Sequence, residues 1–158
     1  MPRQARSAPV TGPRTMELGK AEVLSEGADA ALYTYGPSAE EAMKACRILS
    51  EQGVSLSVLN MTTLKPLDTQ AVLAHAKGKK AVFTLEEHAP VGGLGSAVAE
   101  VLAQAGAGVP LHVMAVPEGA KNTGPYEELL AFYGLSGQEA AKRIAAALQA
   151  DCQNEASR

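Results

Sequence analysis

The chain is expected to fold as a three-layer α/β domain: a mixed, mostly parallel sheet with one antiparallel strand and helices on both faces. Three observations lead there. Short apolar runs of strand length recur along the chain, separated by stretches with helical spacing. The run over residues 81–85 has no polar alternation, the pattern of a strand buried on both faces. Glycine and proline punctuate the changes from one periodicity to the other. A chain of 158 residues can close such a core in one domain without staples.

Residues 20–24 and 30–35 read as strands divided by Gly27 and Asp29. So short a connection holds no crossover helix, so the two pair antiparallel if they are neighbours, with the first at a sheet edge. Gly36 and Pro37 stop the second strand. Ser38 and Glu41 then form a capping box, followed by an apolar stripe of Ala39, Ala42, Met43, Cys46 and Leu49 and a left-handed stop at Gly53. Val54, Leu56 and Val58 alternate as a strand. Asp68 caps a shorter helix, with Leu67 and Val72 placed as a hydrophobic staple, and Gly78 marks its end.

After the 81–85 strand, Leu94, Ala97, Val98, Val101, Leu102 and Ala105 keep helical spacing. Gly106 and Gly108 release the chain into a strand over 110–116. A polar loop over 117–124 leads to a short helix from near Pro125, ended by Gly134. Ser136 and Glu139 form a second capping box for the last helix, whose inner side carries Ala140, Ile144, Ala147 and Leu148. Residues 1–16, with Arg3, Arg6 and Arg14 among prolines, read as a flexible arm. Residues 17–150 form the domain, and 151–158 a frayed polar tail.

Composition narrows the function. Aromatic residues make up only 4% of the chain and Trp is absent, leaving few large anchors for a ring-stacking ligand. A formal net charge of −3 argues against broad nucleic-acid binding. No run approaches the roughly 18 apolar residues of a membrane span, and the N-terminal region lacks the apolar core of a secretory signal. A cytoplasmic protein is expected. Cys46 reads as a buried thiol and Cys152 as a free thiol in the tail, with no metal or redox spacing between them. His75 and His112 offer no companion set for a metal, and no metal site is expected.

The most informative stretch is Glu86-Glu87-His88-Ala89-Pro90-Val91-Gly92-Gly93-Leu94-Gly95-Ser96. It follows a buried strand and opens a helix, the place where α/β proteins usually put functional loops. Gly92, Gly93, Gly95 and Ser96 would suit an anion at the helix start, or the glycines would merely let the helix pack on the sheet. The stretch matches neither the dinucleotide fingerprint nor the phosphate loop. Glu86 or Glu87 would orient His88 or meet a ligand, although adjacent side chains after a strand often diverge. Lys65, Lys121 and Asn122 are loop residues able to meet an anion or a partner.

These motifs, in order, resemble the C-terminal domain of the thiamine-diphosphate enzymes of the transketolase group. The likeness runs over residues 17–149. It rests on Leu18-Gly19-Lys20-Ala21-Glu22-Val23-Leu24, Glu26-Gly27-Ala28-Asp29, Tyr35-Gly36, Asn60-Met61-Thr62-Thr63-Leu64-Lys65-Pro66-Leu67-Asp68, Glu86-Glu87-His88, the glycine loop through Glu100, and Tyr133-Gly134-Leu135-Ser136. Related patterns occur in deoxyxylulose-phosphate synthases and in the beta subunits of 2-oxo-acid dehydrogenases. The loop Gly119-Ala120-Lys121-Asn122-Thr123-Gly124 departs from the pattern, lacking the aromatic residue common before its last glycine.

The resemblance implies a noncatalytic subunit of a split transketolase-like enzyme, inactive alone, that completes a hetero-oligomer. A separate chain would bind thiamine diphosphate and magnesium, and this chain would hold no cofactor. The assembled enzyme would move a two-carbon ketol unit between phosphorylated or related modified sugars. Lys65, Asp68, Glu86, Glu87, His88, Lys121 and Asn122 are then candidates for the interface or substrate rim. Two rival readings stand beside it: a freestanding small-anion-binding or regulatory module, and an interaction subunit of a 2-oxo-acid dehydrogenase or deoxyxylulose-phosphate synthase.

Overall fold

The computed structural model describes the backbone of residues 17–155 and side chains through residue 150, so the N-terminal arm and the Cys152 thiol lie outside the described residues. Five strands form one sheet: β1 (Ala21–Ser25), β2 (Ala30–Thr34), β3 (Leu56–Met61), β4 (Ala81–Leu85) and β5 (Leu111–Met114). Among the described residues five helices connect or flank them: α1 (Ser38–Glu51), α2 (Thr69–Ala76), α3 (Leu94–Gln104), α4 (Tyr126–Phe132) and α5 (Gly137–Glu155). The sheet order is β1-β3-β2-β4-β5. The expected class holds: β2 through β5 are parallel, and β1 is the one antiparallel strand, at an edge.

The two N-terminal strands are not neighbours, so they do not pair with each other. β3 inserts between β1 and β2, with Ala21 opposite Met61 on one side and Leu32 opposite Val58 on the other. The short 26–29 connection therefore spans a strand position rather than closing a hairpin.

Alternation along the central strands splits the core into two layers. Leu32, Val58, Phe83 and Leu85 face α1, α4 and α5, packing with Leu49, Leu130 and Ile144. Tyr33, Leu59, Met61 and Val82 face α2 and α3, packing with Val72, Leu94 and Val98. Tyr33 is fully buried, and its hydroxyl donates to the Val72 carbonyl at 2.7 Å, so a polar tip inside an apolar layer is satisfied. Cys46 is half-buried rather than fully buried, on the rim of the first layer.

The capping box foreseen at α1 does not form. Pro37 occupies the cap position without a side-chain bond. The Glu41 carboxylate, 2% exposed, instead accepts the Gly137 amide at 2.7 Å and caps α5 from another helix. Its other oxygen pairs with Lys44 at 2.8 Å. At α5 itself the Ser136 hydroxyl accepts the Glu139 amide at 3.4 Å. The helical backbone of α5 continues through 151–155, where the sequence suggests a polar tail.

Asp68 does cap α2, accepting the Ala71 amide at 3.0 Å, and its second oxygen accepts the Ala21 amide of β1 at 3.0 Å. Burial alone would raise this carboxyl, but these amides, with Lys20 nearby, leave it below its ordinary value of 3.8. A depressed folded value contributes stability above the unfolded pKa and loses it as pH falls through the folded one. Asp68→Ala is expected to cost about 1–2 kcal/mol near neutral pH. The gap from wild type should narrow below pH 3.8, as read from urea melts across pH. A gap that stays constant into acid contradicts this.

Candidate functional site

Because β2 to β5 run parallel, their carboxyl ends share one edge of the sheet, and antiparallel β1 brings Gly19 and Lys20 there too. From β2 the chain leaves for α1 on one face, and from neighbouring β4 it leaves for α3 on the other. Adjacent strands that send the chain to opposite faces open a crevice at their carboxyl ends, where such folds place ligands and contacts. Tyr35 and Ser38 follow β2 there, and Glu86, Glu87 and His88 follow β4.

The two neighbouring glutamates diverge. Glu86 is 0% exposed and accepts the Leu94 amide at 2.7 Å and the Gly95 amide at 2.8 Å. An internal carboxylate thus occupies the first turn of α3, where free amides and the helix dipole favour negative charge. The glycines permit this approach. A Cβ on Gly93 would lie 2.2 Å from Glu86 Oε2, and one on Gly95 would lie 2.7 Å from Val113 Cγ1 and 3.2 Å from Glu86 Oε1. Ser96 is engaged within the loop, accepting from the Gly92 amide at 3.0 Å and donating to the Pro90 carbonyl at 2.9 Å. The amides of Leu94 and Gly95 that would have met an outside anion are therefore filled from within.

Glu87 turns outward and is exposed. Its Oε1 accepts from the Tyr126 hydroxyl at the start of α4 and from the Ser38 hydroxyl at 3.4 Å. Tyr35 is half-buried nearby; burial first, then the charges of Glu86 and Glu87, raise its hydroxyl above the ordinary value of 10.0. His88 is exposed, its Nδ1 2.9 Å from the Ala89 carbonyl, while its own carbonyl accepts the Val116 amide at 3.0 Å. Asn122 lies on the exposed 117–124 loop and accepts from the Tyr133 hydroxyl at 3.3 Å; Lys121 is exposed beside it.

Lys65 and Asp68 follow β3 on the same edge but do not join this cluster. Lys65 is exposed at a cis peptide before Pro66, and the hydrogen bonds of Asp68 run to β1 and α2. Tyr35, Ser38 and Tyr126 escaped sequence reasoning as site members. Only Tyr35-Gly36 gave a signal, as a motif at a strand end, because Tyr126 reaches Glu87 from 39 positions away.

The described residues offer no donor set that fits the implied magnesium. The buried carboxylates Glu41 and Glu86 are both committed to helix amides. Among the described residues no three His, Cys, Asp or Glu side chains converge to hold a metal. Nor is any described helix long and apolar enough to cross a membrane.

The sheet order, the crevice between β2 and β4 and the internally capped glycine loop define a three-layer α/β domain. Residues 19–139 match the family described as transketolase, C-terminal domain, and the chain belongs to that family. A transketolase C-terminal section from Methanocaldococcus jannaschii is 39% identical over 130 residues, covering 82% of this chain and 40% of the relative. A 1-deoxy-D-xylulose-5-phosphate synthase from Synechococcus sp. is 41% identical over 135 residues, covering 85% of this chain and 21% of the relative. A solved structure of a split gene transketolase, described as an inactive beta4 tetramer, superposes with a TM-score of 0.79 at 33% identity, covering 90% of this chain and 46% of that one. The chain thus spans less than half the length of each of these relatives.

Proposed function

We propose that this chain is the C-terminal subunit of a split, cytoplasmic transketolase-like enzyme, supporting assembly and the active-site rim in a hetero-oligomer. Its partner would be a separate chain that binds thiamine diphosphate and magnesium. The likeness to the split gene structure across 90% of the chain carries this reading. Glu86 supports it against the freestanding anion module, because the carboxylate already sits on the α3 amides such a module would offer.

When bound in the partner, thiamine diphosphate would supply the electron sink for cleaving a carbon–carbon bond of a phosphorylated or modified sugar. This chain's share is geometric. Glu86 fixes the glycine loop, and Glu87, His88, Lys121 and Asn122 lie at the edge that would face partner or substrate. Lys65 and Asp68 would serve the same edge farther along, Asp68 by tying β1 to α2.

A second reading has an observation of its own: the synthase from Synechococcus sp. is as similar as the archaeal section. Mixing this chain with a chain carrying the thiamine-binding domains separates the two. Ketol transfer between sugars by the mixture supports the first reading, and formation of 1-deoxy-D-xylulose 5-phosphate supports the second. Full activity from this chain alone refutes both.

A further inference from the structure

Among the described residues Glu87 is an exposed carboxylate without a cationic partner. One of its oxygens collects two hydroxyl donors, Tyr126 and Ser38, and the other accepts no hydrogen bond. Neither its neighbour His88 nor Lys121, on the loop before Tyr126, pairs with it. Two neutral hydroxyls orient a carboxylate and leave its charge in place. Tyr126 is 38% exposed, and Val91, at the tip of the glycine loop on the same edge, is 72% exposed. A fixed carboxylate beside a tyrosine ring, with an apolar side chain presented to solvent, has the anatomy of a docking point rather than of a solvated face.

We propose that Glu87 is the anchor for an arginine of the thiamine-binding partner chain, held for it by Ser38 and Tyr126. The free oxygen takes the guanidinium, and the Tyr126 ring gives it a flat surface to lie on. Arginine is preferred to lysine because its planar fork both pairs with carboxylates and stacks on aromatic rings. Tyr35 lines the same crevice and feels the negative field of the two glutamates, which would favour a cation on the partner. This assignment rests on the split-subunit reading and names the contact that reading leaves open.

The test is association of the full chain with the thiamine-binding chain, measured by sedimentation or interferometry at low and high salt. Glu87→Gln should weaken association by roughly tenfold or more, and Glu87→Lys further, with a flatter salt dependence for both. Glu51→Gln, an exposed change at the far end of α1, should bind as wild type does. Thermal melting of the isolated variants checks that none is unfolded. Wild-type association with Glu87→Gln and Glu87→Lys unchanged within about twofold overturns the anchor and leaves the split-subunit reading standing. An effect confined to self-association overturns it in favour of a second copy as occupant. Wild type failing to bind any thiamine-binding chain overturns both.

Discussion

Glu86→Gln is expected to lower the unfolding free energy by about 3 kcal/mol, a large effect for a change of one atom. The carboxylate is fully buried and accepts two amides, and each such charge-assisted bond is worth about 1.5–3 kcal/mol. Glutamine keeps one acceptor but turns an NH2 group toward an amide that is itself a donor. Relief of the buried charge offsets part of the loss, since a carboxylate is costly to desolvate. The first turn of α3 would then hold an orphaned amide against the sheet. Urea denaturation of both proteins reads the difference. A loss below about 1 kcal/mol would mean that water or local relaxation replaces the missing acceptor.

Gly93→Ala should be of similar size for a steric reason. Gly93 has φ −88° and ψ −164°, a conformation open to alanine, so backbone strain contributes nothing. The added methyl would instead lie 2.2 Å from Glu86 Oε2 and 2.9 Å from the Ala89 carbonyl oxygen. Pushing the carboxylate off its two amides should destabilise the domain by about 3 kcal/mol. Because Glu86→Ala and Gly93→Ala would each break this one arrangement, the double variant should cost clearly less than the sum of those two single changes. Strict additivity in that cycle, again from urea melts, would show that the glycine is not there to admit the carboxylate.

These two residues also mark how far sequence reasoning reached. Class, strand positions and the two helix faces were legible because period-2 and period-3.6 patterns are local properties of the chain. Val82, Phe83 and Leu85 announced a buried central strand, and the Asp68 cap was visible from spacing alone. The partner of β1 was not, since pairing with β3 requires knowing that α1 returns the chain between the two N-terminal strands. Ser38 and Glu41 carry a capping-box pattern, yet their side chains serve Glu87 and Gly137, respectively 49 and 96 positions away. The glycine loop left two readings open, an anion at the helix start or merely close packing of the helix on the sheet. What spacing could not show is that the chain's own Glu86 is an anion at that helix start, because adjacent glutamates after a strand look alike until the sheet gives one an inside and the other an outside.

On the proposed function, this edge completes an enzyme whose cofactor is bound by another chain. The most direct measurement is a titration of this chain into a fixed amount of the thiamine-binding chain, following thiamine-diphosphate-dependent ketol transfer between sugar phosphates. Negligible transfer is expected from either chain alone, with a rate that rises with added subunit until it saturates at a fixed ratio. A rate that stays flat throughout the titration, or full transfer by this chain on its own, would contradict the proposed function.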